Sequence, residues 1–147
     1  MSAQSGPGLL TPKSSRGCAV GDFDNDGDMD ALVMNMNEPP LLLRNEHNNR
    51  AATTNWLKVK LIGTKSNRSA IGARVRVTTA NARTQTQEVT SQSSYYSHND
   101  LRLHFGMGPA KKADAIEIRW PNGQTEIVKE IGGNQTIVIK EGAGVVR

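Results

Sequence analysis

Apolar and polar residues alternate with a period of two in five segments of the chain that follow Trp56. In each segment, aliphatic or aromatic residues occupy every second position, and mostly charged residues stand between them. This alternation is typical of β-strands that bury one face and expose the other. The five segments are 57–61, 75–77, 101–105, 116–120 and 137–139. They predict an antiparallel β-sandwich over residues 56–141, and the fold class is therefore all-β.

The remaining segments suggest how this domain is bounded. Pro121-Asn122-Gly123 predicts a turn between two strands, because Asn-Gly is a strong hairpin signal. Residues 1–15 are rich in Gly, Ser and Pro, and we expect them to be disordered. We interpret residues 46–55 as a polar linker and residues 142–147 as a tail. The apolar runs are only a few residues long, whereas a membrane-spanning helix needs about 20.

The net charge of +4 conceals an uneven distribution of charged side chains. Residues 1–50 contain four basic and seven acidic residues, whereas residues 51–147 contain fourteen basic and seven acidic residues. The single cysteine excludes an intrachain disulfide and a zinc site built from cysteines. Aromatic residues make up 4% of the chain, which leaves little stacking surface and argues against single-stranded nucleic acid as a partner.

The acidic residues are concentrated in a loop whose spacing is typical of calcium binding. Aspartates at every second position, with Gly27 to permit a sharp turn, can direct their oxygens at one ion. Val33 stands where an EF-hand has glutamate, and the flanking residues suit strands, so the loop is not an EF-hand. The predicted ligands are the side chains of Asp22, Asp24, Asp26 and Asp30 and the carbonyl of Asp28, whose side chain would point to solvent. The alternative is a solvated acidic turn without metal.

This strand–loop–strand segment resembles the FG-GAP or VCBS repeat of integrin-type propellers. The run from Arg16 to Asn45 is similar to the last such repeat in proteins related to cartilage acidic protein. Later stretches resemble the ASPIC/UnbV domain that follows the propeller in that family. They are Asn55-Trp56-Leu57, Gly63–Arg68, Ile71–Val75, Tyr95–Asp100, His104–Gly108, Arg119–Gly123 and Asn134-Gln135-Thr136. The resemblance implies a propeller-blade-type β-hairpin at 16–45 and an extracellular or periplasmic location, and it carries over no established catalytic role.

Two further groups of residues are candidate binding sites. Tyr95 and Tyr96, with His98 and Asp100, could contact a glycan or protein ligand, or could simply form a polar loop. A catalytic triad is disfavoured there, because triad members usually come from separate elements. If their strands pair, a basic patch that attracts polyanions is formed by Lys58, Lys60, Arg74 and Arg76. Gly63–Arg68 lacks the spacing of a phosphate-binding loop and is interpreted as a turn with two exposed basic residues.

These observations favour a non-enzymatic, calcium-stabilised extracellular binding or adhesion module. A lone blade cannot cover both faces of its sheet, so it must pack either on the rest of the chain or on further blades. We expect the second case, in which the chain is the C-terminal part of a larger propeller protein. Two alternatives stay open. One is an accessory role in a biosynthetic pathway, as in UnbV-like proteins. The other is polyanion binding through a basic sheet face, which would weaken with salt.

Overall fold

The computed structural model describes residues 6–46, 54–80 and 83–146. These residues fall into two compact units. The first contains residues 6–46 together with Gln92–Asp100, and the second contains the remaining described residues. The assignment of Gln92–Asp100 to the first unit was not indicated by the sequence, which had placed this segment inside the C-terminal domain.

The first unit is built on a three-stranded antiparallel sheet. Its strands, in the order β1-β2-β3, are Ser15–Gly21, Asp30–Asn35 and Leu41–Leu43. A short 3-10 turn, Pro7–Leu9, precedes them. The acidic loop therefore connects β1 to β2, as the apolar flanks of the loop predicted.

The segment Gln92–Asp100 lies against β1 through the backbone. The amide of Asp100 donates to the carbonyl of Val20 at 3.0 Å, and the amide of Val20 donates to Asn99 Oδ1 at 3.0 Å. Gly17 permits close approach, because a Cβ there would lie 2.7 Å from the carbonyl oxygen of Tyr95. Alternation of apolar residues does not reveal contacts of this kind, because they depend on backbone groups and on the absence of a side chain at Gly17.

The second unit contains two four-stranded sheets. The first sheet has the order β11-β10-β4-β7, and the second has the order β6-β5-β8-β9. The strands are β4 (Asn55–Ile62), β5 (Arg74–Thr79), β6 (Arg83–Glu88), β7 (Leu103–Gly108), β8 (Lys112–Arg119), β9 (Thr125–Gly132), β10 (Gln135–Lys140) and β11 (Gly144–Val145). The all-β, β-sandwich-like class predicted from the alternation is confirmed.

Both sheets contribute to one buried apolar cluster. Its larger members are Leu57, Val59, Leu61, Val75, Val77, Val89, Leu103, Phe105, Met107, Ile116, Ile118, Trp120, Ile137 and Ile139. All but Val89 and Met107 are positions that the period of two selected, whereas Leu101, which it also selected, is only partly buried beside the cluster. Full burial of a Leu, Ile, Val or Phe side chain contributes about 1.5–3 kcal/mol. The cluster therefore holds the two sheets together.

The strand directions differ from the prediction in one pair. β10 runs parallel to β4, with Ile137 opposite Val59, while the other paired strands are antiparallel. Alternation reports which face of a strand is buried and carries no information on its direction. The predicted turn is present: the amide of Gly123 donates to the carbonyl of Trp120 at 2.9 Å, and the turn joins β8 to β9.

The predicted basic patch is wrong, because it required β4 and β5 to pair. These strands lie in different sheets, so Lys58 and Lys60 are separated from Arg74 and Arg76. Lys58 is also 1% exposed, and its Nζ lies 4.9 Å from the ring centre of Trp56. The two arginines form ion pairs, Arg74 with Glu88 and Arg76 with Glu117, so they do not form a free cationic surface.

Most of the predicted linker, residues 47–53, lies outside the described residues, and so do residues 1–5 of the predicted disordered segment. In the predicted tail, β11 pairs with β10. Within the described ranges, no helix has the length and hydropathy required to cross a bilayer.

Candidate metal centre

The loop between β1 and β2 brings three of its carboxylates together. One oxygen from each of Asp22, Asp24 and Asp30 lies within 4.8 Å of the others. Asp22 and Asp30 are buried, at 1% and 3% exposed. Buried carboxylates at this separation repel one another unless a cation or hydrogen-bond donors compensate them. The cluster is therefore a candidate metal centre, and oxygen ligands of this type suit hard cations.

The fold of the loop is set by hydrogen bonds from its backbone amides to its own aspartate side chains. Gly27 donates to Asp22 Oδ2 at 2.8 Å, and Asp28 donates to Asp26 Oδ1 at 2.9 Å. Gly27 has a φ of 96°, so the sharp turn that its position predicted is present. Asn25 also has a positive φ, of 62°, which Asn tolerates better than most residues.

The Asp30 carboxylate accepts hydrogen bonds from backbone amides that follow the two edge strands, β1 and β3. Its Oδ2 accepts the amide of Phe23 at 3.2 Å, and its Oδ1 accepts the amide of Asn45 at 2.8 Å. Asn45 lies just beyond β3, so the carboxylate ties the end of that strand to the start of the loop. These bonds hold the Asp30 carboxylate in the converging group with Asp22 and Asp24.

Two aspartates of the loop differ from the other three. Neither Asp26 nor Asp28 belongs to the group of converging carboxylates. The side chain of Asp28 was expected to point to solvent, but the residue is buried, at 6% exposed. The buried Oδ2 of Asp26 accepts no hydrogen bond from the described residues. A buried acceptor in this state is an oxygen that a cation or an ordered water can satisfy.

Arg44 lies beside the loop and was given no role by the sequence reasoning. Its Nε is 2.8 Å from Asp24 Oδ2, and its Nη2 is 3.7 Å from Asp26 Oδ2. The guanidinium therefore offsets part of the repulsion among the carboxylates. The signal available in the sequence was the apolar run Leu41–Leu43, which forms β3. This strand brings the chain back to the loop, so that the residue after it lies beside the carboxylates.

The four residues predicted to contact a glycan or protein ligand all lie on the segment Gln92–Asp100. Tyr95 and Tyr96 are 64% and 83% exposed, and their rings are perpendicular with centres 4.4 Å apart. The ring Nδ1 of His98 lies 2.6 Å from the carbonyl of Asn99, and the Ser97 hydroxyl donates to the carbonyl of Tyr95 at 3.2 Å. Ser97 and His98 thus contact nearby backbone carbonyls, which does not correspond to a nucleophile activated by a base.

A second acidic feature, in the second unit, was missed by the sequence reasoning. Glu141 is 3% exposed, and its Oε2 accepts the backbone amides of Thr64, Lys65 and Ser66 at 2.7, 2.8 and 2.8 Å. Its Oε1 accepts Asn122 Nδ2 at 2.7 Å. Successive amides that converge on an anion form a nest, which is the arrangement used by phosphate-binding loops.

The nest changes the acidity of Glu141. Burial alone would raise the pKa of this carboxyl, but the three amides and the Ser66 hydroxyl outweigh burial and lower the pKa from 4.5 to about 2. The segment Gly63–Arg68 is thus a turn, and the anion that its amides bind is the Glu141 carboxylate of the same chain. Lys65 and Arg68 are exposed, as the sequence predicted.

The fold and the acidic loop define a class of small all-β protein in which a β-sandwich accompanies a three-stranded unit with a candidate metal centre. The family model described as ASPIC and UnbV matches residues 63–146, more than half of the chain. The chain therefore belongs to the ASPIC and UnbV family, which confirms that part of the resemblance seen in the sequence.

Similar proteins include Cartilage acidic protein 1 from Xenopus tropicalis, from Mus musculus and from Homo sapiens. Each is 29% identical to this chain over 123 residues, which is 80% of the chain. The matched region is 18% of each relative, so the chain spans about a fifth of the length of these curated relatives.

Proposed function

We propose that this chain is a non-enzymatic, calcium-binding module of an extracellular protein, with a role in binding or adhesion. The observation that carries the proposal is the convergence of Asp22, Asp24 and Asp30 on one point, with two of them buried. Ca²⁺ takes six to eight oxygen ligands in flexible geometry, and a loop of five aspartates offers carboxylate and carbonyl oxygens. Asp26 and the carbonyl of Asp28 complete the proposed ligand set.

The calcium would be structural. It would neutralise the carboxylates and hold the loop that joins β1 to β2, so that binding energy stabilises the first unit. Arg44 offers one positive charge to Asp24 and Asp26, which leaves the loop strongly negative. A divalent cation supplies the charge that the guanidinium does not.

We further propose that the first unit, over residues 16–45, is an FG-GAP or VCBS-type blade that packs on other blades of a larger protein. Three large apolar side chains on one face of its sheet support this. Leu32, Met34 and Leu42 are 42%, 47% and 48% exposed, and Leu32 is directly opposite Leu42 in the β2–β3 pair. A contiguous apolar face of this kind marks a packing surface. The relatives are about five times longer than the matched region, which leaves room for such blades.

The extracellular location rests on the relatives, whose name refers to cartilage, a tissue rich in extracellular matrix. The exposed pair Tyr95 and Tyr96 is the part of the first unit that we propose contacts a glycan or protein ligand. Aromatic side chains with hydroxyl groups are suited to such contacts, because they combine apolar area with a hydrogen-bonding tip.

The calcium proposal is tested by hydrogen–deuterium exchange of the chain with Ca²⁺ and with a chelator. We expect Ca²⁺ to slow exchange of the loop amides of Phe23, Gly27 and Asp28, because the carboxylates that accept them become fixed. At a Ca²⁺ concentration near half-saturation of the wild type, Asp24→Asn should weaken the effect, since asparagine keeps an acceptor for the Asp26 amide and loses the charge. The matched control is Asp114→Asn in the second unit, which should leave the effect intact. Equal exchange with Ca²⁺ and with chelator would contradict the proposal.

A further inference from the structure

The turn that joins β8 to β9 contains Asn122-Gly123, a pair that is chemically reactive as well as turn-forming. Asparagine is one of the thermolabile residues of proteins. The backbone nitrogen of a following glycine can attack its side-chain carbonyl carbon, because glycine has no side chain that shields this nitrogen. Asn122-Gly123 is the single Asn-Gly pair in the sequence. The turn is therefore a candidate site of covalent modification, independent of the calcium proposal.

The attacking nitrogen is engaged in the hydrogen bonds of the turn. The amide of Gly123 donates to the carbonyl of Trp120 at 2.9 Å, and the amide of Trp120 donates to the carbonyl of Gln124 at 2.8 Å. Gly123 has a φ of 87°, as expected for the last residue of a three-residue hairpin loop. The Gly123 nitrogen must leave its bond with Trp120 before it can attack the asparagine side chain.

The side-chain amide of Asn122 is held at both of its polar atoms. Its Nδ2 donates to Glu141 Oε1 at 2.7 Å, and its Oδ1 accepts the amide of Gln124 at 2.9 Å. Glu141 is the buried carboxylate whose other oxygen accepts the amides of the nest in the Gly63–Arg68 turn. Asn122 thus connects the β8–β9 turn to the nest, although Asn122 itself is exposed to water.

We propose that Asn122 is a deamidation site, protected while its side chain is bonded to Glu141, and that its modification weakens the nest around Glu141. In the reaction, the Gly123 nitrogen forms a bond to Asn122 Cγ and the Cγ–Nδ2 bond breaks. Ammonia leaves and takes the amide proton of Gly123 with it. Water then opens the cyclic imide at either carbonyl, which gives aspartate or isoaspartate. Water is the only co-reactant.

The product reverses the sign of the contact with Glu141. An aspartate places an acceptor oxygen and a negative charge where the donor Nδ2 lay 2.7 Å from Glu141 Oε1. Two carboxylates at such a separation disfavour each other's ionised form. Isoaspartate also lengthens the backbone of the turn by a methylene group, which disturbs the bond between Gly123 and Trp120. Both products therefore act against the hydrogen bonds that hold Glu141 and the turn.

The protection is tested by incubating the whole chain at mildly alkaline pH and following modification of Asn122 by peptide-mapping mass spectrometry. Glu141→Gln should speed deamidation about tenfold, the change that corresponds to losing one charge-assisted hydrogen bond of roughly 1.4 kcal/mol. Leu57→Ala is the matched control, because a core cavity destabilises the same unit and leaves the Asn122–Glu141 contact in place. It should keep the rate within about twofold of wild type. Urea should bring all three chains to one faster rate.

The consequence for the nest is tested with two substitutions of Asn122. Asn122→Asp reproduces the aspartate product, whereas Asn122→Ser gives up the donor to Glu141 without adding a charge. In urea unfolding at neutral pH, Asn122→Asp should lower the midpoint about twice as far as Asn122→Ser. Equal midpoints for these two variants would overturn the proposed effect on the nest. Equal deamidation rates in wild type and Glu141→Gln, or in folded and urea-unfolded wild type, would overturn the proposed protection.

Discussion

Replacement of Glu141 by glutamine should destabilise the second unit strongly at neutral pH. The wild-type carboxylate accepts three backbone amides at 2.7–2.8 Å and is nearly inaccessible to solvent. Glutamine has one acceptor oxygen, and its NH₂ group would face donors that need acceptors. An unsatisfied buried donor costs about 1–3 kcal/mol.

The pKa of Glu141 gives a separate measure of the same effect. The carboxyl pKa falls from 4.5 to about 2 on folding, although burial opposes the change. Each pKa unit is worth about 1.4 kcal/mol, so the ionised form contributes roughly 3 kcal/mol to the free energy of unfolding. Because the folded pKa is the lower one, this contribution is complete above pH 4.5 and is lost as the pH falls towards 2.

Urea unfolding followed by tryptophan fluorescence measures this contribution, since Trp56 and Trp120 both belong to the second unit. We expect Glu141→Gln to lower the free energy of unfolding by about 3 kcal/mol at pH 7, and the difference from wild type to shrink between pH 4.5 and 2. Glu88→Gln is the control, since its ion pair with Arg74 is exposed and should be worth less than about 1 kcal/mol. A loss at Glu141 no larger than at Glu88, or a difference that does not change with pH, would refute the role of the nest.

Two glycines provide further predictions. Gly63→Ala should destabilise the second unit by more than about 2 kcal/mol, because the added Cβ would lie 2.2 Å from the backbone oxygen of Asn67. Gly106→Ala, where a Cβ meets nothing within 4 Å, is the control for urea unfolding and should change stability little. Gly17→Ala should increase hydrogen exchange in Gln92–Asp100 by pushing the Tyr95 carbonyl away from β1. Unchanged exchange in that segment would show that the contact at Gly17 does not hold it.

The elements of the sandwich core could be predicted because they carry the alternation of apolar residues. Phe105, Ile118 and Ile139 are at most 1% exposed, at positions that the period of two selected. Strand β6 was not predicted, because its sequence RTQTQE is polar and its residues are exposed or half-buried at an edge of the sheet. Edge strands need only one apolar face or none, so hydrophobic periodicity does not identify them.

The candidate sites were predictable to different degrees. The acidic loop could be recognised because its carboxylates and Gly27 are consecutive in the sequence. The contacts of Glu141 could not, since its partners are backbone amides more than seventy residues away in the chain.

The central claim, that the loop of the first unit binds calcium, is tested most directly by isothermal titration calorimetry of the chain with Ca²⁺. We predict saturable binding of one ion per chain, at least about tenfold weaker in Asp24→Asn and unchanged in Asp114→Asn. Mg²⁺ should bind more weakly, because it demands a closer octahedral set of ligands. Absence of binding heat together with no protection of the loop amides, or equal binding by wild type and Asp24→Asn, would contradict the account.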